Sequence, residues 1–127
     1  DVLALAALTH DDNPLHVDEA AAKEGPFGQR VAHGDLILSL AGGLAGKIED
    51  FVKAKPMKRE IVKWQFRKPV FFGEVIYVDV TVKELKAMRD GIGKATFQLK
   101  VCKRPDVVVS VGSVVAFVPT QPLAKAQ

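Results

Sequence analysis

One long stretch of this chain has helical periodicity, and nearly everything after it is strand-like. Leu36, Ile37, Leu40, Ala41, Leu44, Ala45 and Ile48 recur at three- and four-residue spacing, which lays a wide apolar face along one helix opening at Gly34. Ser39, Gly42, Gly43 and Gly46 add a stripe of small residues. Glycine in a helix costs roughly 0.5–1 kcal/mol relative to alanine. Three glycines in one helix therefore point to close packing rather than propensity. The stretch reads as a buried central helix.

After Pro56 the period changes to two. Val75, Tyr77, Asp79, Thr81 and Lys83 alternate with Ile76, Val78, Val80 and Val82. Four strands are expected, at 60–67, 74–85, 94–103 and 107–118. Asp90-Gly91 and Pro105-Asp106 stand where tight turns would join antiparallel neighbours. Trp64 and Phe66 lie on the first of these strands among Lys63 and Arg67 and read as sheet packing. A helix that needs covering, followed by strands joined by short turns, implies an α+β fold with an antiparallel sheet wrapped around a long central helix. That arrangement is the hot-dog fold.

The 127 residues are expected to form one domain over 1–118, with a loose tail over 119–127. Ahead of the central helix, Val2, Leu3, Leu5, Ala6 and Leu8 suggest a short helix capped by Asp1, residues 9–17 a loop, and Asp18 to Lys23 a second short helix. The lone Cys102, in a strand-like run, can form no internal disulfide and reads as a buried thiol. The net charge of +3 comes from 18 basic and 15 acidic residues interleaved along the chain, without the basic and aromatic clustering of a nucleic-acid surface. No apolar run is long enough for a transmembrane helix. A cytoplasmic protein with no nucleic-acid or membrane partner is expected. The start at Asp1 leaves a targeting segment ahead of it open.

Chemistry concentrates in the first third. Asp11-Asp12-Asn13-Pro14-Leu15-His16 puts a carboxylate and an imidazole five residues apart on a loop stiffened by proline. Such a pair can share proton transfers, one accepting from water while the other donates. Asn13 can bond the loop backbone and hold it rigid. On spacing alone these residues could equally be turn and cap residues with an exposed His16. Val31-Ala32-His33-Gly34 then opens the helix, whose free N–H groups suit a developing oxyanion. A simple helix entry is the plainer reading of that glycine. The spacings of His10, His16, His33 and Asp11 match no metal-ligand pattern, so no metal is expected. Lys53, Lys55, Lys58 and Arg59 could meet phosphates or form a solvated face.

Together these residues resemble the MaoC-like family of (R)-specific enoyl-CoA hydratases. The likeness runs through Asp11-x-Asn13-Pro14-x-His16, Val31-Ala32-His33-Gly34 and Phe66-Arg67-Lys68-Pro69-Val70-Phe71-x-Gly73-Glu74. It implies a hot-dog fold, a homodimer or higher oligomer, and an acyl-CoA or acyl-carrier thioester as substrate, with coenzyme A part of that substrate and no other cofactor. It implies Asp11 and His16 as the catalytic pair, the Gly34 N–H as oxyanion donor, and Asn13 and His33 as substrate-binding or loop-supporting residues. The expected reaction is hydration of a trans-2-enoyl thioester or the reverse dehydration. A thioesterase, or a non-catalytic half of a heterodimer, are the alternatives. The family places a strand and loop ahead of the first helix that these residues lack, and Asp35, Gly42 and Gly43 depart from common choices. These departures leave acyl-chain length and substrate identity open.

Overall fold

The structure, a computed structural model, describes residues 1–120. Its elements in chain order are α1 (Val2–Thr9), α2 (Pro14–Val17), α3 (Glu19–Lys23), α4 (Gly34–Ala45), α5 (Glu49–Lys53), β1 (Met57–Phe66), β2 (Ile76–Arg89), β3 (Ile92–Lys103) and β4 (Val107–Pro119). The strands form one antiparallel sheet in the order β1-β4-β3-β2. The α+β reading therefore holds, and α4 lies across the sheet as its central helix.

Alternation builds the core. Along β3 the side chains of Ala95, Phe97, Leu99 and Val101 turn to one buried face. They meet Ile37, Ala41 and Ala45, which share one stripe of α4, together with Val109, Val114 and Ala116 of β4. Fully burying a large apolar side chain is worth about 1.5–3 kcal/mol, so this layer is what fixes α4 on the sheet. Phe51 of α5 closes the end of the core, edge-on to Phe97 at a centroid distance of 5.0 Å. Cys102 is buried, as its strand position suggests.

Several local expectations are corrected. The first helix buries only Val2 and Ala6, one turn apart, while Leu3 and Leu8 face solvent, and Asp1 makes no capping hydrogen bond with its side chain. The central helix stops at Ala45, with Gly46 as its C-cap. Ile48 belongs instead to the start of α5, a turn of helix within what reads as loop. The small-residue stripe does not bring backbone close. A Cβ on Gly43 would meet nothing within 4 Å, and one on Gly42 only the Lys58 ammonium at 4.0 Å. Both glycines border a cavity of about 400 Å³ between α4 and β1. The first strand begins at Met57 and β2 runs from Ile76 to Arg89, each offset from the expected bounds because antiparallel pairing, not side-chain alternation, decides where a strand ends. The second turn of the sheet carries Gly91 at φ 78°, a left-handed conformation in which a Cβ would be strained. β4 takes in Pro119, and the Thr120 N–H donates to the Gly91 carbonyl at 3.0 Å; residues 121–127 of the expected tail lie outside the described residues. No described helix is long and apolar enough to cross a membrane.

Candidate active site

Three segments far apart in sequence are laced together ahead of α4. The Val31 N–H donates to the Leu15 carbonyl at 3.2 Å, and the Ala32 N–H donates to the Val70 carbonyl at 2.8 Å. Val31 and Phe71 also form an isolated antiparallel bridge. The 14–17 turn, the 31–34 entry and the connection between β1 and β2 are thereby held side by side. Part of the expected loop is itself helical. Pro14 supplies a preset φ at the first helical position of α2, and the Asn13 side-chain oxygen accepts the Leu15 N–H at 3.0 Å. Asn13 thus caps a turn as well as supporting the loop.

That turn aims His16. Its Nδ1 lies 2.7 Å from the Val31 carbonyl oxygen. A carbonyl can only accept, so Nδ1 carries a proton and Nε2 is the nitrogen left for chemistry. His16 is half-buried, not exposed. Asp11 sits beside it on an exposed stretch, its own N–H bonded to Thr9 Oγ1 at 3.2 Å.

His33 is buried under both, 2% exposed. Its ring stacks on His16 with centroids 3.8 Å apart and planes 23° off parallel, and its Nε2–H donates to the Asp11 backbone carbonyl at 2.9 Å. Nδ1 of His33 is sealed from solvent with no partner among the described residues. An unpaired buried polar atom costs about 1–3 kcal/mol.

His33 is also the N-cap of α4, its backbone extended at ψ 141°, and its side chain does not cap the helix. Gly34 and His16 line one cleft of about 280 Å³, closed on its other sides by Ile37, Phe66, Lys68 and Val70. A Cβ on Gly34 would come within 2.8 Å of the Phe66 ring. A side chain at position 34 would push that ring aside, so glycine lets the backbone and the ring both border the cleft. Phe66 is not plain sheet packing, since it stands at the cleft mouth with 57% exposure, whereas Trp64 packs on the core. Phe66 and the Val31 carbonyl are the site residues that sequence reasoning missed. The Phe66–Glu74 segment was legible as a motif, but no local pattern says which backbone oxygen an imidazole will find.

Asp11, His16 and His33 offer ligand atoms within 4.8 Å of one another. Each imidazole already donates to a carbonyl, which leaves one unprotonated nitrogen on each ring, and that of His33 is sealed from solvent. The set suits proton handling better than metal binding. The expected basic stretch is dispersed: Lys53 pairs with Glu49 at 2.7 Å, Arg59 lies over the Phe117 ring, and Lys58 faces the cavity beside Gly42.

The wall contributed by the β1–β2 connection is stitched by charge. The Glu74 carboxylate accepts the Phe71 N–H at 2.7 Å and the Lys103 ammonium at 3.1 Å, and that ammonium also reaches the Pro69 carbonyl at 2.9 Å. Burial by itself would raise the Glu74 pKa, but the Phe71 N–H and Lys103 outweigh it and hold the group below its ordinary 4.5. A depressed carboxylate adds stability that is full above about 4.5 and is lost as pH falls through the lower folded value. Glu74→Gln is therefore expected to cost on the order of 1 kcal/mol at pH 7. In urea titrations the difference from the parent should shrink toward zero as the pH falls from the ordinary carboxylate value of 4.5 through the lower folded one. An equal difference at every pH would show that Glu74 acts through packing alone.

Comparison with known proteins places this arrangement. Residues 1–103 match the family model described as the MaoC like domain. The chain belongs to the MaoC-like domain family. This MaoC-like domain is 33% identical over 122 residues to the (R)-specific enoyl-CoA hydratase of Aeromonas caviae, covering 94% of the chain and 84% of that relative. It is 35% identical over 85 residues to the 3-hydroxybutyryl-CoA dehydratase of Methylorubrum extorquens, with 67% of the chain matched to about half, 52%, of that protein. Among solved structures, the (R)-hydratase from A. caviae superposes with a TM-score of 0.77 at 30% identity, over 93% of this chain and 85% of that one. A monoamine oxidase regulatory protein from Archaeoglobus fulgius gives a TM-score of 0.82 at 28% identity, over 95% and 81%. The hot-dog fold is common to these neighbours and this chain.

Proposed function

We propose that this MaoC-like domain is a hydro-lyase that adds water across the double bond of a trans-2-enoyl thioester, and removes it in reverse. The observation that carries the reading is the orientation of His16, whose Nδ1–H is committed to the Val31 carbonyl so that Nε2 can accept a proton in the cleft that Gly34 also lines. In the proposed step, Asp11 and His16 hold a water and take one proton from it as its oxygen bonds C3 of the substrate. The π pair of the C2–C3 bond moves to form C1–C2, and the thioester carbonyl becomes an enolate-like oxygen. The Gly34 N–H at the start of α4 receives that charge. The proton taken from water then returns to C2, so the product is the 3-hydroxyacyl thioester. Asp11 serves as principal base and His16 as water-positioner and relay; Asn13 keeps the loop in register.

The similarity to relatives named for enoyl-CoA hydration and 3-hydroxybutyryl-CoA dehydration supports the same chemistry and a coenzyme A thioester substrate, with (R) stereochemistry at C3. We take the working unit to be a homodimer or higher homo-oligomer of cytoplasmic location, using no cofactor beyond the coenzyme A of its substrate. Purified protein offered trans-2-enoyl-CoA substrates of increasing chain length should consume the conjugated thioester and yield the (R)-3-hydroxyacyl product. Release of free thiol instead would make it a thioesterase. Coenzyme A binding without turnover of any enoyl thioester would make it a binding partner.

A further inference from the structure

His33 touches every part of the proposed machinery without lining the cleft itself. Its Nε2–H holds the Asp11 carbonyl at 2.9 Å, its ring stacks at 3.8 Å on His16, and its own backbone leads into Gly34. Apart from this bond, Asp11 is held among the described residues by one exposed hydrogen bond, to Thr9. A histidine kept only to fill core volume would pair both nitrogens or give way to an apolar residue. Here Nδ1 is buried with no partner among the described residues, while Nε2 is spent on the backbone of the neighbouring carboxylate residue. His33 is 2% exposed, so bulk solvent does not compete for these contacts.

We propose that His33 is a positioning residue: in its Nε2–H tautomer it fixes the Asp11 backbone by hydrogen bonding and the plane of the His16 ring by stacking, so that carboxylate, imidazole and the Gly34 N–H keep one spacing. This rests on the hydration reading for its kinetic consequence, but the geometry can be tested apart from it. A shift of about 1 Å at a catalytic group costs on the order of 100-fold in rate. His33→Leu should thus lower kcat by about 100-fold, with KM within about threefold of the parent. His33→Gln keeps an N–H donor close to the position of Nε2 and should recover about tenfold of that loss.

Two-bond 1H–15N spectra of the ring nitrogens should show His33 protonated at Nε2 in the parent. In His33→Leu, the His16 ring signals and the Asp11 and Asp12 amides should move. Equal kcat in the folded Leu and Gln variants, or a Leu variant within twofold of the parent, would overturn the proposal. So would a His33 protonated at Nδ1 alone, which is read on the parent even if His33→Leu does not fold. If the parent hydrates no enoyl thioester, the function assigned above fails, while the spectra still decide whether His33 sets the geometry of Asp11 and His16.

Discussion

Replacement of His16 by glutamine is expected to lower hydration turnover by about 10²–10⁴-fold while the protein stays folded. Glutamine fills similar space but has no nitrogen that can take up and release a proton at neutral pH. The variant also loses the Nδ1–H bond to Val31, which is part-buried and should cost stability by about 1 kcal/mol. Asp11→Asn should lower turnover over the same range with less effect on stability, because the Asp11 side chain is exposed and the contact that anchors the residue is made by its backbone carbonyl. The double variant should be barely worse than the poorer single one, as expected of two groups acting on one water. Steady-state kinetics on crotonyl-CoA with thermal melts of each protein separate these effects. Near-parent turnover in both single variants would remove the pair from the chemistry.

The second large effect concerns stability and lies away from the cleft. Gly112 pairs with Leu99 on β3 and faces β1 where that strand's register shifts between Val62 and Gln65. A Cβ there would lie 2.5 Å from Trp64 Cε3 and 2.8 Å from Trp64 Cα. The first contact could be relieved by a ring movement, but the second is with backbone held by the flanking Val62–Ser113 and Gln65–Val111 pairs. Overpacking of this kind costs typically 1–3 kcal/mol, so Gly112→Ala should melt roughly 5–12 °C below the parent. Gly43→Ala is the contrasting case, a helical glycine whose new methyl would touch nothing within 4 Å. It should stabilise by up to about 1 kcal/mol. If Gly112→Ala melts with the parent, β1 is not held against β4 in the way described.

Gly43 also marks a limit of what could be read in advance. The same three glycines of the central helix suggested backbone contact, yet two of them border open space. Small residues make close approach possible and make cavities possible, and periodicity cannot separate the two. Leu3 and Leu8 failed for a related reason: a helix of eight residues buries whichever stripe the neighbouring elements offer, and here only Val2 and Ala6 are buried, with Leu5 half-covered. Strand identities were legible because alternation is a property of the chain itself, as in Ala95, Phe97, Leu99 and Val101. Strand ends were not, because they depend on a partner.

What the amino-acid order determined alone was the class of fold and the residue types at the site: one long apolar helix, four alternating strands, and Asp11, Asn13, Pro14, His16, His33 and Gly34 at their spacings. Tertiary structure decided how those residues face one another. It put the Val31 carbonyl against Nδ1 of His16, laid His33 beneath that ring, and set Phe66 across from Gly34. Each of these joins residues whose relative position depends on the packing of separate segments. Hydrophobic period is a local property that a sequence displays directly, whereas the tautomer of an imidazole is chosen by whichever distant backbone oxygen folding brings within hydrogen-bonding reach.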